Sequence, residues 1–404
     1  MPDPGSKVSI ETSNEVVEGV LMPSEGNSTV IKLDNGYNIG ISKKNIKKIS
    51  VLKKPQKVAE SKGKQVPFSK NKKRITILHT GGTVASKVDY STGAVVSRFT
   101  PEELIALFPE LKEIANIDSK LIAQMWSEDA RFIHYQDMCK AIESEIKKGV
   151  DGIILTSGTD TMAYTSAALA FMCDVQIPIL VVGAQRSSDR GSSDAGVNLI
   201  CAAEFIAKTD FVGVAICMHD SMDDNDCVIL PATKTRKLHT SRRDAFRAVN
   251  DTPIAKVDFE SRKVEFFKDY TKKSNNSSVF KTKMEDKVGL IKLHTNMHKE
   301  QFEVFKGYKG LVIEGTGLGQ APINIKEHVP IFNVIRDLIK NGTVVVMTSQ
   351  CIYGRVHAHV YSPAVKLNEA GVIYGEDMLP ETAFIKLAWL LGNYKKDEVR
   401  SMVT

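Results

Sequence analysis

From Arg74 onward, short and almost wholly apolar runs alternate with longer helical patterns, and nothing else in the sequence constrains the fold as tightly. The runs Ile75–Leu78, Gly152–Leu155, Ile177–Val182 and Phe211–Met218 lack the apolar/polar alternation of a half-solvated sheet. Strands buried on both faces read this way, so βα units and a parallel sheet are predicted over residues 74–270. Thr100-Pro101-Glu102-Glu103 marks a helix start, with an N-cap Thr, Pro at the first helical position and a capping-box Glu. A polar break from Thr271 to Lys287 precedes a second set of runs, Gly289–Leu293, Gly310–Glu314 and Thr343–Thr348. These predict a smaller α/β domain over residues 285–404.

The first 55 residues follow a different rule. Lys7–Ile10, Val16–Met22, Thr29–Leu33, Tyr37–Ile41 and Ile46–Leu52 are short, rich in Val and Ile, and separated by turn residues, including Asn35-Gly36. Five such strands suit a small SH3-like β-barrel. No ionisable constellation stands out in it, so residues 1–55 read as a docking module. Residues 56–73 lack periodicity and read as a basic linker. Between Lys43 and Arg74 the sequence carries thirteen basic residues and one acid, Glu60, although the whole chain is only +6. Such a run attracts polyanions such as RNA; with a single aromatic, Phe68, in it, a solvated linker is the favoured reading.

With 404 residues, of which 42% are hydrophobic and 25% charged, a sizeable core is expected and wholesale disorder is excluded. No apolar stretch approaches the ~20 residues of a membrane span, and Met-Pro-Asp-Pro-Gly does not open a secretory signal. A cytoplasmic protein is expected. Cys139, Cys173, Cys201, Cys217, Cys227 and Cys351 form no Cys-x-x-Cys pair, so neither a zinc site nor a disulfide framework is expected.

Open α/β sheets place ligands at the carboxyl ends of their strands, and four polar segments fall there. Thr80-Gly81-Gly82-Thr83 follows the first run; its glycines allow a sharp turn and close approach to a ligand, but it is no P-loop. Ser157-Gly158-Thr159-Asp160-Thr161 follows the second and offers hydroxyls and a carboxylate, although taken alone a helix N-cap is the favoured explanation. Gly183-Ala184-Gln185-Arg186, continuing to Asn198, is read as site wall without direct chemistry. Thr233-Lys234-Thr235 supplies a lysine among small residues, which if desolvated would activate a hydroxyl. His294/His298 and His357/His359 have metal-compatible spacing but no completing carboxylate, so no metal site is expected. Asp220, Asp223, Asp224 and Asp226 lack calcium-loop spacing and read as a solvated loop.

Thr-Gly-Gly-Thr at 80–83, Ser-Gly-Thr-Asp-Thr-Met at 157–162 and Thr-Lys-Thr at 233–235, in that order, resemble the L-asparaginase family over residues 74–404. The resemblance implies two α/β domains and an amidohydrolase without metal or organic cofactor. It implies catalytic roles for Thr83 (the nucleophile), Thr159, Asp160 and Lys234. It further implies substrate-binding roles for Tyr90 (a lid residue), Ser127, Glu128 and Asn296, the last lent across a subunit interface. With the strand-rich N-terminal module and basic linker added, the whole chain is similar to the GatD family, the glutaminase components of archaeal glutamyl-tRNA(Gln) amidotransferases.

That second resemblance implies a glutaminase that hydrolyses glutamine and passes ammonia to a partner, GatE. The partner would use ATP and Mg to amidate Glu-tRNA(Gln), which it would hold itself, on a homodimeric core of a heterotetramer. A free-standing L-asparaginase is the alternative, and an RNA-binding protein on a dead scaffold is a third reading. The preference between glutamine and asparagine rests on one methylene, worth ~1–3 kcal/mol, and is not legible from sequence.

Overall fold

The computed structural model describes residues 2–3, 5–22, 27–33, 38–53, 69–82, 86–88, 95–97, 107–186 and 192–404. The expected turn Asn35-Gly36, most of the 56–73 linker, the helix start at Thr100–Glu103, and the site candidates Thr83 and Tyr90 lie outside the described residues.

The N-terminal module has five antiparallel strands: β1 (Lys7–Thr12), β2 (Val16–Met22), β3 (Ser28–Lys32), β4 (Asn38–Ser42) and β5 (Ile46–Lys53). Their order is β4-β3-β2-β1-β5, so the two edge strands are consecutive in the chain. A flat sheet would hold those edges four strand spacings apart, ~19 Å. Only the 3₁₀ turn Lys43–Asn45 joins them, and four Cα steps reach no more than ~14 Å. The sheet therefore has to curl, as a small barrel does. Val8, Ile10, Leu21 and Ile31 form its own core, separate from those of the rest of the chain. Lys32, whose alternation with Ile31 predicts the solvent face, is buried instead beside Gly19, where the backbones of β2 and β3 approach closely.

The second unit is built on an eight-stranded sheet. Its strands are β6 (Arg74–Gly81), β7 (Asn116–Met125), β8 (Gly152–Thr156), β9 (Pro178–Val182), β10 (Gly213–His219), β11 (Asp226–Pro231), β14 (Ala255–Asp258) and β15 (Val264–Phe266). A short ribbon of β12 (Thr235–Lys237) and β13 (Phe246–Ala248) is interposed between β11 and β14. The order is β15-β14-β11-β10-β9-β8-β6-β7. The first five strands of this unit, β6 to β10, are parallel, and every residue of β8 and β9 is buried, which accounts for their continuous apolar runs.

The expectation of a wholly parallel sheet is refined at the other edge. From β10 the chain turns back within residues 220–225, too short a link for a crossover helix, so β11, β14 and β15 run antiparallel. Helices α1 (Phe132–Lys147) and α2 (Met162–Met172) cover one face of the sheet and α3 (Ala195–Lys208) the other.

The third unit is a four-stranded parallel sheet of β16 (Val288–Lys292), β17 (Gly310–Gly315), β18 (Val344–Ser349) and β19 (Ile373–Tyr374). It is flanked by α4 (Val329–Lys340), α5 (Ser362–Glu369) and α6 (Pro380–Asn393). Helix α6 binds the two α/β units together, because Ile385 is fully buried in the cluster that also holds Met162 and Leu169 of α2. Five of the six cysteines are buried and Cys351 is exposed; all are free thiols. Among the described residues, no helix is long and apolar enough to cross a membrane.

Candidate active site

In the large sheet the chain starts at β6, moves to β7 on one side, then returns to β8 on the other. Connections leaving on opposite sides open a crevice beyond the carboxyl end of the first strand. The turns after β6, β7 and β8 meet in this crevice.

The contact between the turns is made by glycines. Gly82 has φ +74°, and a Cβ on it would fall 2.5 Å from Gly158 N. A Cβ on Gly158 would fall 2.7 Å from Ser127 Cβ, and one on Gly183 would fall 2.7 Å from Thr159 Cγ2. Side chains at these positions would wedge the turns apart, so the glycines set their approach. Thr161 ties the same turns together by donating its hydroxyl to Ser127 O at 2.6 Å. It occupies the N-cap position of α2 but makes no side-chain cap bond. The Thr161 hydroxyl therefore does not serve the cap role that the segment alone favours.

The strand ends are cross-linked just below. His79 bonds Thr156 Oγ1 at 3.0 Å through Nδ1 and Ser119 Oγ at 2.7 Å through Nε2, spanning β8, β6 and β7. Burial pushes its imidazole down to about 4, so it is neutral near pH 7. On the far side, Asp194 accepts the backbone N–H groups of Gln185 and Arg186 at 3.0 and 3.1 Å, and Asn198 Nδ2 donates to Gly183 O at 2.9 Å. Burial raises the pKa of Asp194 and these backbone bonds oppose the rise. Residues 183–186 and 194–198 are thus tied together beside Thr159.

The ionisable centre is Lys237. Its Nζ donates to Thr159 Oγ1 at 2.9 Å and to Asp160 Oδ1 at 2.7 Å. Thr159 is buried, and the Lys237 side chain is 13% exposed against 69% for Asp160. A hydroxyl, an ammonium and a carboxylate thus stand in direct contact, a chain along which a proton can pass.

This corrects the sequence-based choice of Lys234. Its Nζ pairs with Asp377 Oδ1 at 2.5 Å, in the small domain, and touches neither Thr159 nor Asp160. The reason is where each lysine sits: Lys234 lies in the turn after β11, its N–H bonded back to Pro231 O, whereas Lys237 lies on strand β12. Lys234 and Arg236 meet Asp377 and Glu381, whereas Thr235 and Lys237 bond within the large domain. The segment Thr233–Lys237 contains two lysines, and the change from turn to strand separates their directions. The segment itself carries no local signal that favours Lys237.

Among the other expected residues, Ser127 is buried in the turn that abuts Gly158, and its Oγ lies 3.3 Å from Glu128 Oε2. Glu128 is exposed beside it. Asn296 is not brought to this group: it sits exposed on the loop after β16, with φ +61°. Among the described residues, no cluster of three metal-ligating side chains occurs. A cavity of about 210 Å³ lined by Arg131, Phe132, Ile133, Gln136, Met284 and Asp286 includes none of the expected site residues.

Fold and site together define an asparaginase-type amidohydrolase. The family model described as "Asparaginase, N-terminal" matches residues 74–272, and "Glutaminase/Asparaginase C-terminal domain" matches 287–402. Among solved structures, the thermostable L-asparaginase from Thermococcus kodakarensis is similar with a TM-score of 0.73 and 28% identity, over 82% of this chain and 96% of that one. L-asparaginase I from Vibrio cholerae gives 0.72 and 25%, over 82% and 97%.

The N-terminal module narrows the class, since residues 3–52 match the family described as "GatD N-terminal domain". The D subunit of the glutamyl-tRNA(Gln) amidotransferase of Pyrococcus furiosus is 47% identical over 396 residues, 96% of this chain and 89% of that protein. Its counterpart from Methanococcus maripaludis strain C5 is 44% identical over 414 residues, 100% and 96%. The chain belongs to this GatD family of glutamyl-tRNA(Gln) amidotransferase components.

Proposed function

We propose that this chain is the glutaminase component of a tRNA-dependent amidotransferase. It hydrolyses the side-chain amide of glutamine and releases ammonia to a partner protein. The observation that carries the reading is the contact of Lys237 with both Thr159 and Asp160. It rests on a set of turns brought together by Gly82 and Gly158, and the 1–55 module is shared with GatD relatives.

Thr83, the residue after Gly82, attacks the carboxamide carbon. The C–N bond breaks, the nitrogen leaves as ammonia after gaining a proton, and an ester to the Thr83 oxygen remains. Thr159, with Lys237 and Asp160, moves the proton and activates the water that cleaves that ester. Backbone N–H groups of the glycine turns stabilise the oxyanion, a contribution of ~3 kcal/mol per donor. Ser127 and Glu128 bind the α-carboxylate and α-amino groups, Tyr90 closes over the substrate, and Asn296 reaches the site of the neighbouring copy. No metal or organic cofactor is required here; ATP and Mg act at the partner.

The partner, GatE, holds Glu-tRNA(Gln) and consumes the ammonia, and two copies of this chain form the core of a heterotetramer in the cytoplasm. Ammonia release from glutamine, measured with and without GatE, ATP and Glu-tRNA(Gln), tests the reading. Turnover is expected to be weak alone and to rise severalfold with the full set. Fast, partner-independent hydrolysis of asparagine would instead identify a free-standing asparaginase.

A further inference from the structure

We propose that Asp377, in the loop leading into α6, and Glu381, in its first turn, are positioning residues of the small domain that set where the Lys237 ammonium sits. This rests on the reading of Lys237 as part of the amide-hydrolysing group. Three contacts join residues 377–382, the entry and first turn of α6, to the residues just before Lys237. Asp377 pairs with Lys234 at 2.5 Å, Glu381 pairs with Arg236 at 3.1 Å, and Thr382 donates its hydroxyl to Thr233 O at 2.8 Å. Glu381 is buried, so its pairing with Arg236 is only weakly screened by water.

The same helix also grips the other half of the group. Ile385 is buried among the residues of α2, the helix that follows Thr159 and Asp160, and the Phe384 ring packs edge-on against Tyr164 at 6.3 Å. Ser166 of α2 closes the loop directly, donating to Ala232 O at 2.8 Å. One helix of the small domain is therefore in contact with both chain segments whose side chains must meet. The junction beside it carries two left-handed non-glycine residues, Asn250 at φ +54° and Glu376 at φ +54°. Asn250 bonds the small domain three times, through Gly354 O and N and Asp377 O. Strained backbone persists where its surroundings over-determine it. The small domain thus does more than shield the crevice: it holds the register of residues 233–237, and with it Lys237.

The test is steady-state glutamine hydrolysis by Asp377→Asn, Glu381→Gln and Lys234→Met in the full chain, each checked for folding by circular dichroism and thermal melting. Because a displacement near 1 Å at a reacting group costs up to ~100-fold, kcat should fall by about 10-fold or more while KM stays within about 2-fold. The exchanged pair Lys234→Asp with Asp377→Lys should recover most of the kcat lost in Asp377→Asn. Folded variants with lowered melting temperature and wild-type kcat would show the contacts to be inter-domain glue, and overturn the proposal. So would a folded exchanged pair that recovers nothing. Lys237→Met, run in parallel, separates the two levels: if it retains turnover, the reading of the site itself fails.

Discussion

Lys237 Nζ lies 2.9 Å from Thr159 Oγ1, bridging a strand ribbon and a strand-to-helix turn that are far apart in the sequence. Lys234, three residues earlier, directs its charge to the other domain. Two lysines in one short segment therefore have different effects when removed. Lys237→Met should lower glutamine turnover by ~10³-fold, the usual scale for deleting a general acid–base group. Lys234→Met, which loosens the support of that ammonium but leaves it present, should cost about 10- to 100-fold. A loss in Lys237→Met no greater than that in Lys234→Met would mean that the contact with Thr159 has no special role.

The glycine contact makes a second prediction. Gly158→Ala places a methyl group 2.7 Å from Ser127 Cβ, and the turns have to separate. The fold should survive, because the clash lies at the rim of the sheet and not in its core. Turnover should drop by ~100-fold through misplacement of Thr159 alone. A crystal structure of the variant with unmoved turns, or full activity, would contradict this.

The His79 bridge makes stability depend on pH. Its folded pKa of about 4 lies below the unfolded value of 6.5, so between them the unfolded chain binds the proton and the folded chain does not. The contribution of the neutral buried imidazole is fully present above pH 6.5 and is lost as pH falls toward 4. The loss is on the order of 3 kcal/mol. Denaturant titrations of the wild type and His79→Gln from pH 7 to pH 4 should therefore converge in stability as pH falls. Parallel curves would show that the imidazole is not held neutral.

The N-terminal module has a core of its own, Val8, Ile10, Leu21 and Ile31. The solved asparaginases align with 82% of this chain, about the share made up by residues 74–404. Removing residues 1–68 should leave the basal glutaminase rate within about 3-fold, since surface changes remote from a site seldom exceed a fraction of a kcal/mol. Stimulation by the proposed partner subunit should disappear. Stimulation that survives the truncation would move the docking surface to the α/β units.

Much of the architecture is legible in the sequence because it depends on local rules. The five short runs of residues 7–52 form five strands, and the continuous apolar runs of β8 and β9 form strands buried on both faces. The antiparallel edge is not legible from apolar patterning, because the direction of β11 depends on the length of the 220–225 link and not on the character of the strand. In the site, the turn residues are marked by their glycines and hydroxyls. The lysine is not, because Lys234 and Lys237 have the same chemistry and lie three residues apart, one in the turn after β11 and the other on strand β12. That placement is decided by how the ribbon leaves β11 and meets α6, a tertiary matter.

Ammonia release from L-glutamine by the full complex, compared between wild type, Lys237→Met and Lys237→Arg, bears most directly on the central claim. The account predicts that Met abolishes release while glutamine binding persists, and that Arg, which retains the charge but cannot give up its proton, is equally inactive. Substantial turnover by Lys237→Met in a folded complex would contradict it.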